Sequence, residues 1–129
     1  MSNDDLVEGW FAKAASDLRS AEILLSADAD IPADAVCFHC QQAVEKYLKG
    51  FLVSRDMEYP LSHNLKALVE QAVLLDETFN ELLEQAETLS PYAVTIRYPD
   101  DFNMPSLEEA KSAFLIASKV KQFVLERMF

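Results

Sequence analysis

The sequence predicts an all-α protein, an up-and-down helical bundle of four long helices plus one short helix. Three observations carry this. Apolar residues recur at intervals of three and four along most of the chain, the period of a helix with one buried face. Two glycines and five prolines in 129 residues leave few turns, so the elements between them are long. Half of the residues are hydrophobic, enough for a single core, which sets the expectation of one domain over residues 1–129.

The first helix is predicted over residues 4–27, with Leu6, Trp10, Ala14, Leu18, Ala21 and Leu25 on its inner side. Asp4 or Asp5 is placed to cap it, since free N–H groups at a helix start favour an acceptor. Asp17 falls at the edge of the apolar stripe and is expected to be a solvated boundary residue. Residues 28–34 form a loop, because Pro32 biases Ile31 away from helix, and Asp34 is a plausible cap for the next element.

That element, running to about Ser54, organises the rest. Val36, Cys40, Ala43, Val44, Tyr47, Leu48 and Phe51 share one face at 100° per residue, while Gln42, Glu45, Lys46 and Lys49 fall opposite. Glu45 precedes Lys49 by four, the favoured order for a helical ion pair. Phe38 stands among the polar residues. It faces either a partner, which would make it part of a dimer interface, or a neighbouring piece of its own chain. Gly50, inside the helix, suggests close approach of another segment.

Ser62 or Asn64 can cap a third, shorter helix over about 63–75, with Leu65, Leu68, Val69 and Ala72 inward. A fourth runs over about 77–89, with Phe79, Leu82, Leu83 and Ala86 inward, and Asp76-Glu77 either separates the two or only bends one helix. Residues 90–105 hold three prolines and read as an ordered loop, since the strand-like run 93–98 has no second strand to pair with. Ser106 with Glu109 is a capping-box pattern opening a last helix over 106–128. Its stripe is Leu107, Ala110, Phe114, Ala117, Val120, Val124 and Met128.

The formal charge is −11, from 22 acidic and 11 basic residues, which disfavours generic coating of RNA or DNA. No apolar run approaches the roughly 20 residues that span a bilayer, so no membrane association is expected. The acidic start lacks the layout of a secretory signal, and a cytoplasmic location is the expectation.

Cys37-Phe-His-Cys40 is a C-x-x-C, but a structural zinc needs four ligands and no second cysteine pair exists. The preceding helix and polar loop do not fit a redox motif, which follows a strand. The two cysteines are read as small core residues, and neither metal nor cofactor is expected. His39, Gln42, Lys46 and Lys49 form a polar ridge that is either the wet side of the helix or one wall of a cleft. His63-Asn64 and Arg97-Tyr98-Pro99-Asp100 could join that cleft. Arg97 offers a fork of donors to a carboxylate or phosphate, with Asp17 and Asp100 as alternative partners inside the chain. No phosphate loop, H-E-x-x-H or Gly-x-Ser-x-Gly occurs.

Four segments, in order, resemble the HEPN domain family. Phe38-His-Cys-Gln-Gln-Ala-Val-Glu-Lys-Tyr-Leu-Lys49 resembles its central helix. Ala15-Ser-Asp17-Leu18 with Ala21 resembles its first. His63-Asn64-Leu65 is similar to the H-[DN]-L start of its third, and Arg97-Tyr98-Pro99-Asp100 to its R-Y-P segment. The resemblance implies a dimeric helical bundle, often paired with a separately encoded minimal nucleotidyltransferase as a toxin–antitoxin system. Some members are proposed to bind nucleotides, and many are metal-independent ribonucleases. The ribonucleases carry Arg-x4–6-His near the last helix. Here no histidine follows His63, so Arg97 lacks its partner and the reading leans away from catalysis. On the resemblance, His39, Gln42, Lys46, Lys49, His63, Asn64, Arg97, Tyr98 and Asp100 are expected to bind a nucleotide or the partner. A displaced ribonuclease site using Arg97, His63 or His39 is the alternative.

Overall fold

The computed structural model describes residues 2–93 and 104–128, and these contain helices and turns but no strand. The order is α1 (Asn3–Leu25), α2 (Ala33–Ser54), α3 (Leu65–Leu75), a 3₁₀ segment Glu77–Leu82, α4 (Leu83–Leu89), a 3₁₀ turn Ser90–Ala93 and α5 (Leu107–Glu126). The expected all-α bundle is what forms.

Directions follow from contacts at the helix ends. Asn3 Nδ2 donates to Val53 O at 2.7 Å and to Asp56 Oδ1 at 2.9 Å, so α1 starts where α2 stops and the two run antiparallel. Arg55 Nη2 donates to Arg127 O at 3.1 Å, bringing the ends of α2 and α5 together. Arg127 lies 3.3 Å from the centroid of the Phe123 ring and donates to Thr78 Oγ1, closing this end of the bundle.

The caps of α1 and α2 depart from expectation, while those of α3 and α5 are the expected residues. Ser2, not Asp4 or Asp5, caps α1. Its hydroxyl accepts from Asp5 N and the Asp5 carboxylate accepts from Ser2 N, a reciprocal box that satisfies two groups an aspartate alone would not. Asp34 does not cap α2: the helix starts one residue before it, behind Pro32, and its carboxylate accepts from Ala35 N. Asn64 caps α3 through Lys66 N and Ala67 N. Ser106 caps α5 through Glu109 N, while the Glu109 carboxylate accepts from Tyr92 OH at 3.0 Å instead of closing the box.

The predicted inner faces of α2 and α3 are buried, as are Phe79, Leu82 and Ala86 of the 77–89 segment, while Leu83 is half-buried. On α1 the stripe shifts, with Val7 buried and Leu6 exposed. On α5, Ala113 and Phe123 join the core and Leu107 stays outside. The larger difference is in α2, where 13 of 22 residues are buried, including Gln41, Glu45 and Lys49. Burial of those three, which lie outside the apolar stripe, shows that α2 is a spine covered on more than one side. Gly50 shows how close the cover comes: a Cβ there would sit 2.5 Å from Phe11 Cε1 and 3.2 Å from Trp10 Cβ of α1.

Candidate functional site

The ridge predicted on α2 resolves into two adjacent rows. Residues 39, 42 and 46 make one and residues 41, 45 and 49 the other, about 90° apart at 100° per residue. Each row meets a different part of the chain.

The first row meets α1. Asp17 Oδ1 lies 2.9 Å from His39 Nδ1, and Asp17 Oδ2 accepts from Lys46 Nζ. The Asp17 side chain is only 12% exposed, so it is not the solvated boundary residue expected from its position. The reason is that a carboxylate at the helix–helix seam is held by two donors from the facing helix, which offsets its loss of water. Phe38 is half-buried, with its ring 5.5 Å from that of His39 at 70°.

The second row meets the α2–α3 connection. Glu45 Oε1 lies 2.8 Å from His63 Nδ1 and accepts from Gln41 Nε2, while Oε2 accepts from Lys49 Nζ at 2.9 Å. Gln41 Nε2 also lies 3.2 Å from His63 O, and Gln42 Nε2 donates to Gln41 Oε1. The Glu45–Lys49 pair exists as predicted, but on no wet surface. Lys49 Nζ lies 5.6 Å from the Trp10 ring centroid and 5.3 Å from that of Tyr59, so its ammonium packs against both rings. Burial pushes the Glu45 carboxyl up. Hydrogen bonds from Lys49, His63 and Gln41 outweigh it and hold the group below the usual carboxylate range.

Among the candidate residues, then, His39 and Lys46 converge on Asp17, and Lys49 and His63 converge on Glu45. Gln42 bridges to the second group through Gln41. Asn64 serves as a cap. Arg97, Tyr98 and Asp100 lie outside the described residues. Gln41, Trp10 and Tyr59 were missed as parts of the network. The 41–45–49 spacing was a usable signal for the first, since polar residues four apart make a continuous row.

Both cysteines are fully buried. Burial, with Cys37 and Asp17 nearby, pushes the Cys40 thiol up to about 12, so it does not supply a thiolate at neutral pH. Among the described residues no three His, Cys, Asp or Glu side chains are grouped to hold a metal ion, and no helix is long and apolar enough to cross a membrane.

An archaeal HEPN homologue of known crystal structure superposes with a TM-score of 0.76 at 22% identity, over 95% of this chain and 98% of that one. No curated protein matches the chain. The HEPN domain profile matches residues 7–128, nearly the whole length, and the chain belongs to the HEPN domain family.

Proposed function

We propose that the protein is a non-catalytic HEPN-type module, homodimeric, which docks a minimal nucleotidyltransferase partner as one component of a toxin–antitoxin pair. The supporting observation is that its central cations are already neutralised. Lys46 is held by Asp17 and Lys49 by Glu45, so neither presents a net positive charge to a phosphate. Each histidine has Nδ1 engaged by one of the same two carboxylates. That network builds a rigid scaffold, and a protein with 11 more acidic than basic residues suits a basic protein surface better than RNA. Phe38, half-buried beside His39, is assigned to the dimer face.

Co-expression tests this with the product of a neighbouring reading frame that carries Gly-Ser-x-x-x-Asp-x-Asp. The two chains are expected to co-elute as a stable complex, and this chain alone leaves RNA intact. RNA cleavage that Arg97→Ala abolishes would replace this reading with the ribonuclease one.

Nucleotide binding is the second reading. His63, Asn64 and Lys66 stand exposed along a shallow groove of about 500 Å³ with Ser62, Glu87 and Ser90. Lys66 there is shared with Glu87 at 3.7 Å, which weakens its pull on a phosphate.

A further inference from the structure

The chain has two glycines, both inside helices, where each costs about 0.8–1 kcal/mol relative to alanine. Gly50 is explained by Phe11 and Trp10 packed against it. Gly9 is not: a Cβ there would meet nothing within 4 Å. Among the described residues no contact asks for glycine at that position. What Gly9 does is line an open slot of about 370 Å³ between α1 and the α2–α3 connection. Trp10 and Tyr59, edge to face with centroids 5.8 Å apart, line the slot together with Leu6 and Val53, and Asp5 and Lys13 complete it. Lys49 touches the same two rings but does not line the slot. It is buried beneath them, with its charge cancelled by Glu45.

The surroundings are acidic. Asp4, Asp5 and Glu8 are exposed on the first turns of α1, and Asp56 and Glu58 on the connection. The Asn3 bridge to Val53 and Asp56 brings the two acidic stretches to one end of the bundle. Of the basic residues nearby, Arg55 is engaged by the Phe51 ring and Arg127 O, leaving Lys13.

We propose that this slot docks an arginine- or lysine-bearing segment of a protein partner. The aliphatic stem lies along Leu6 and Val53, the cation faces the aromatic rings, and the carboxylates around them complement it. Gly9 leaves room for the partner's backbone to come close to α1. This deepens the docking reading above and rests on it in taking the partner to be a protein.

Trp10 is the only tryptophan, so its fluorescence reports the slot directly. The probe is the acetylated, amidated peptide Gly-Arg-Gly-Arg-Gly, titrated against its citrulline counterpart, which has the same shape without the charge. The arginine peptide is expected to change Trp10 emission saturably and to bind about tenfold or more tighter than the citrulline peptide. Gly9→Leu, with helicity checked by circular dichroism, fills the slot and weakens binding by a similar factor. Lys13→Glu strengthens it several-fold.

Equal binding of the two peptides, or no effect of Gly9→Leu, overturns the proposal. So does weaker binding by Lys13→Glu, which would mark an anionic ligand. A Trp10 signal that depends on protein concentration without peptide, and is lost in Gly9→Leu, would assign the slot to a second copy of the chain and overturn it too. The docking reading fails separately. If the nucleotidyltransferase co-purifies with wild type and Gly9→Leu alike, the slot is wrong and docking stands. If the peptide binds but no nucleotidyltransferase co-purifies, the slot stands and that reading falls.

Discussion

His63 Nδ1 lies 2.8 Å from Glu45 Oε1, although the imidazole is 66% exposed and the carboxylate only 5%. This contact crosses from solvent to core and, with Gln41 Nε2 donating to His63 O, pins the α2–α3 connection to the centre of the spine. Glu45 holds Lys49, His63 and Gln41 at once, and removing it leaves the buried Lys49 ammonium without its carboxylate. Glu45→Ala is expected to destabilise the protein by about 3–5 kcal/mol, because a buried ammonium is left unpaired. Urea unfolding measures this. Glu45→Leu combined with Lys49→Leu should recover much of the loss, since no charge then remains buried.

The same carboxylate makes stability fall in acid. Its folded pKa lies below the ordinary value of 4.5, so its contribution is complete above that value and disappears as pH drops through the folded one. Wild type is expected to lose urea resistance more steeply than Glu45→Gln as pH is lowered from 5 to 3. Parallel curves for the two proteins would show that the group does not act this way.

The two glycines should respond to alanine with opposite signs. Gly50→Ala drives a methyl into Phe11 and is expected to cost about 1–3 kcal/mol, the range for overpacking. Gly9→Ala meets open space and should gain about 0.5–1 kcal/mol from helix propensity and a less flexible unfolded chain. Thermal melts of the two variants decide it.

Lys46 is committed to Asp17. Calorimetric titration of ATP or GTP should therefore give the same result for wild type and Lys46→Ala. A nucleotide heat lost in that variant would make Lys46 a ligand contact and favour the nucleotide-binding reading.

The thiols should be silent in the folded state. Cys37 and Cys40 are fully buried, and the Cys40 thiol is raised to about 12. An aromatic disulfide reagent at pH 8 should react slowly with both cysteines until denaturant is added, then promptly.

Helix positions and most inner faces were legible because 3.6-residue periodicity records burial along one helix at a time. Leu65, Leu68, Val69 and Ala72 are a clean instance. What periodicity could not record is cover from another segment. Glu45 and Lys49 sit opposite the apolar face of α2 and read as wet. They are dry because Trp10 and Tyr59 pack against Lys49 and His63 of the next connection meets Glu45. Asp17 was misjudged for the same reason, since its partners come from a facing helix. The cap of α1 was missed because Ser2, three positions before Asp5, does the work. His39, Gln42, Lys46 and Lys49 were picked from a real polar ridge, but the sequence did not reveal that its charges are paired within the fold.

Lys49 and Glu45 stand four apart on a single helix, and that has a kinetic side. Their attraction needs no tertiary contact, so it is available as soon as one turn of α2 coils. The later arrival of α1 then dehydrates a near-neutral dipole instead of two separate ions, which removes an electrostatic obstacle from the docking step. Docking of α1 on α2 thus meets a smaller barrier than two separate buried charges would impose, and swapping the two residues for a cross-helix pair would slow it.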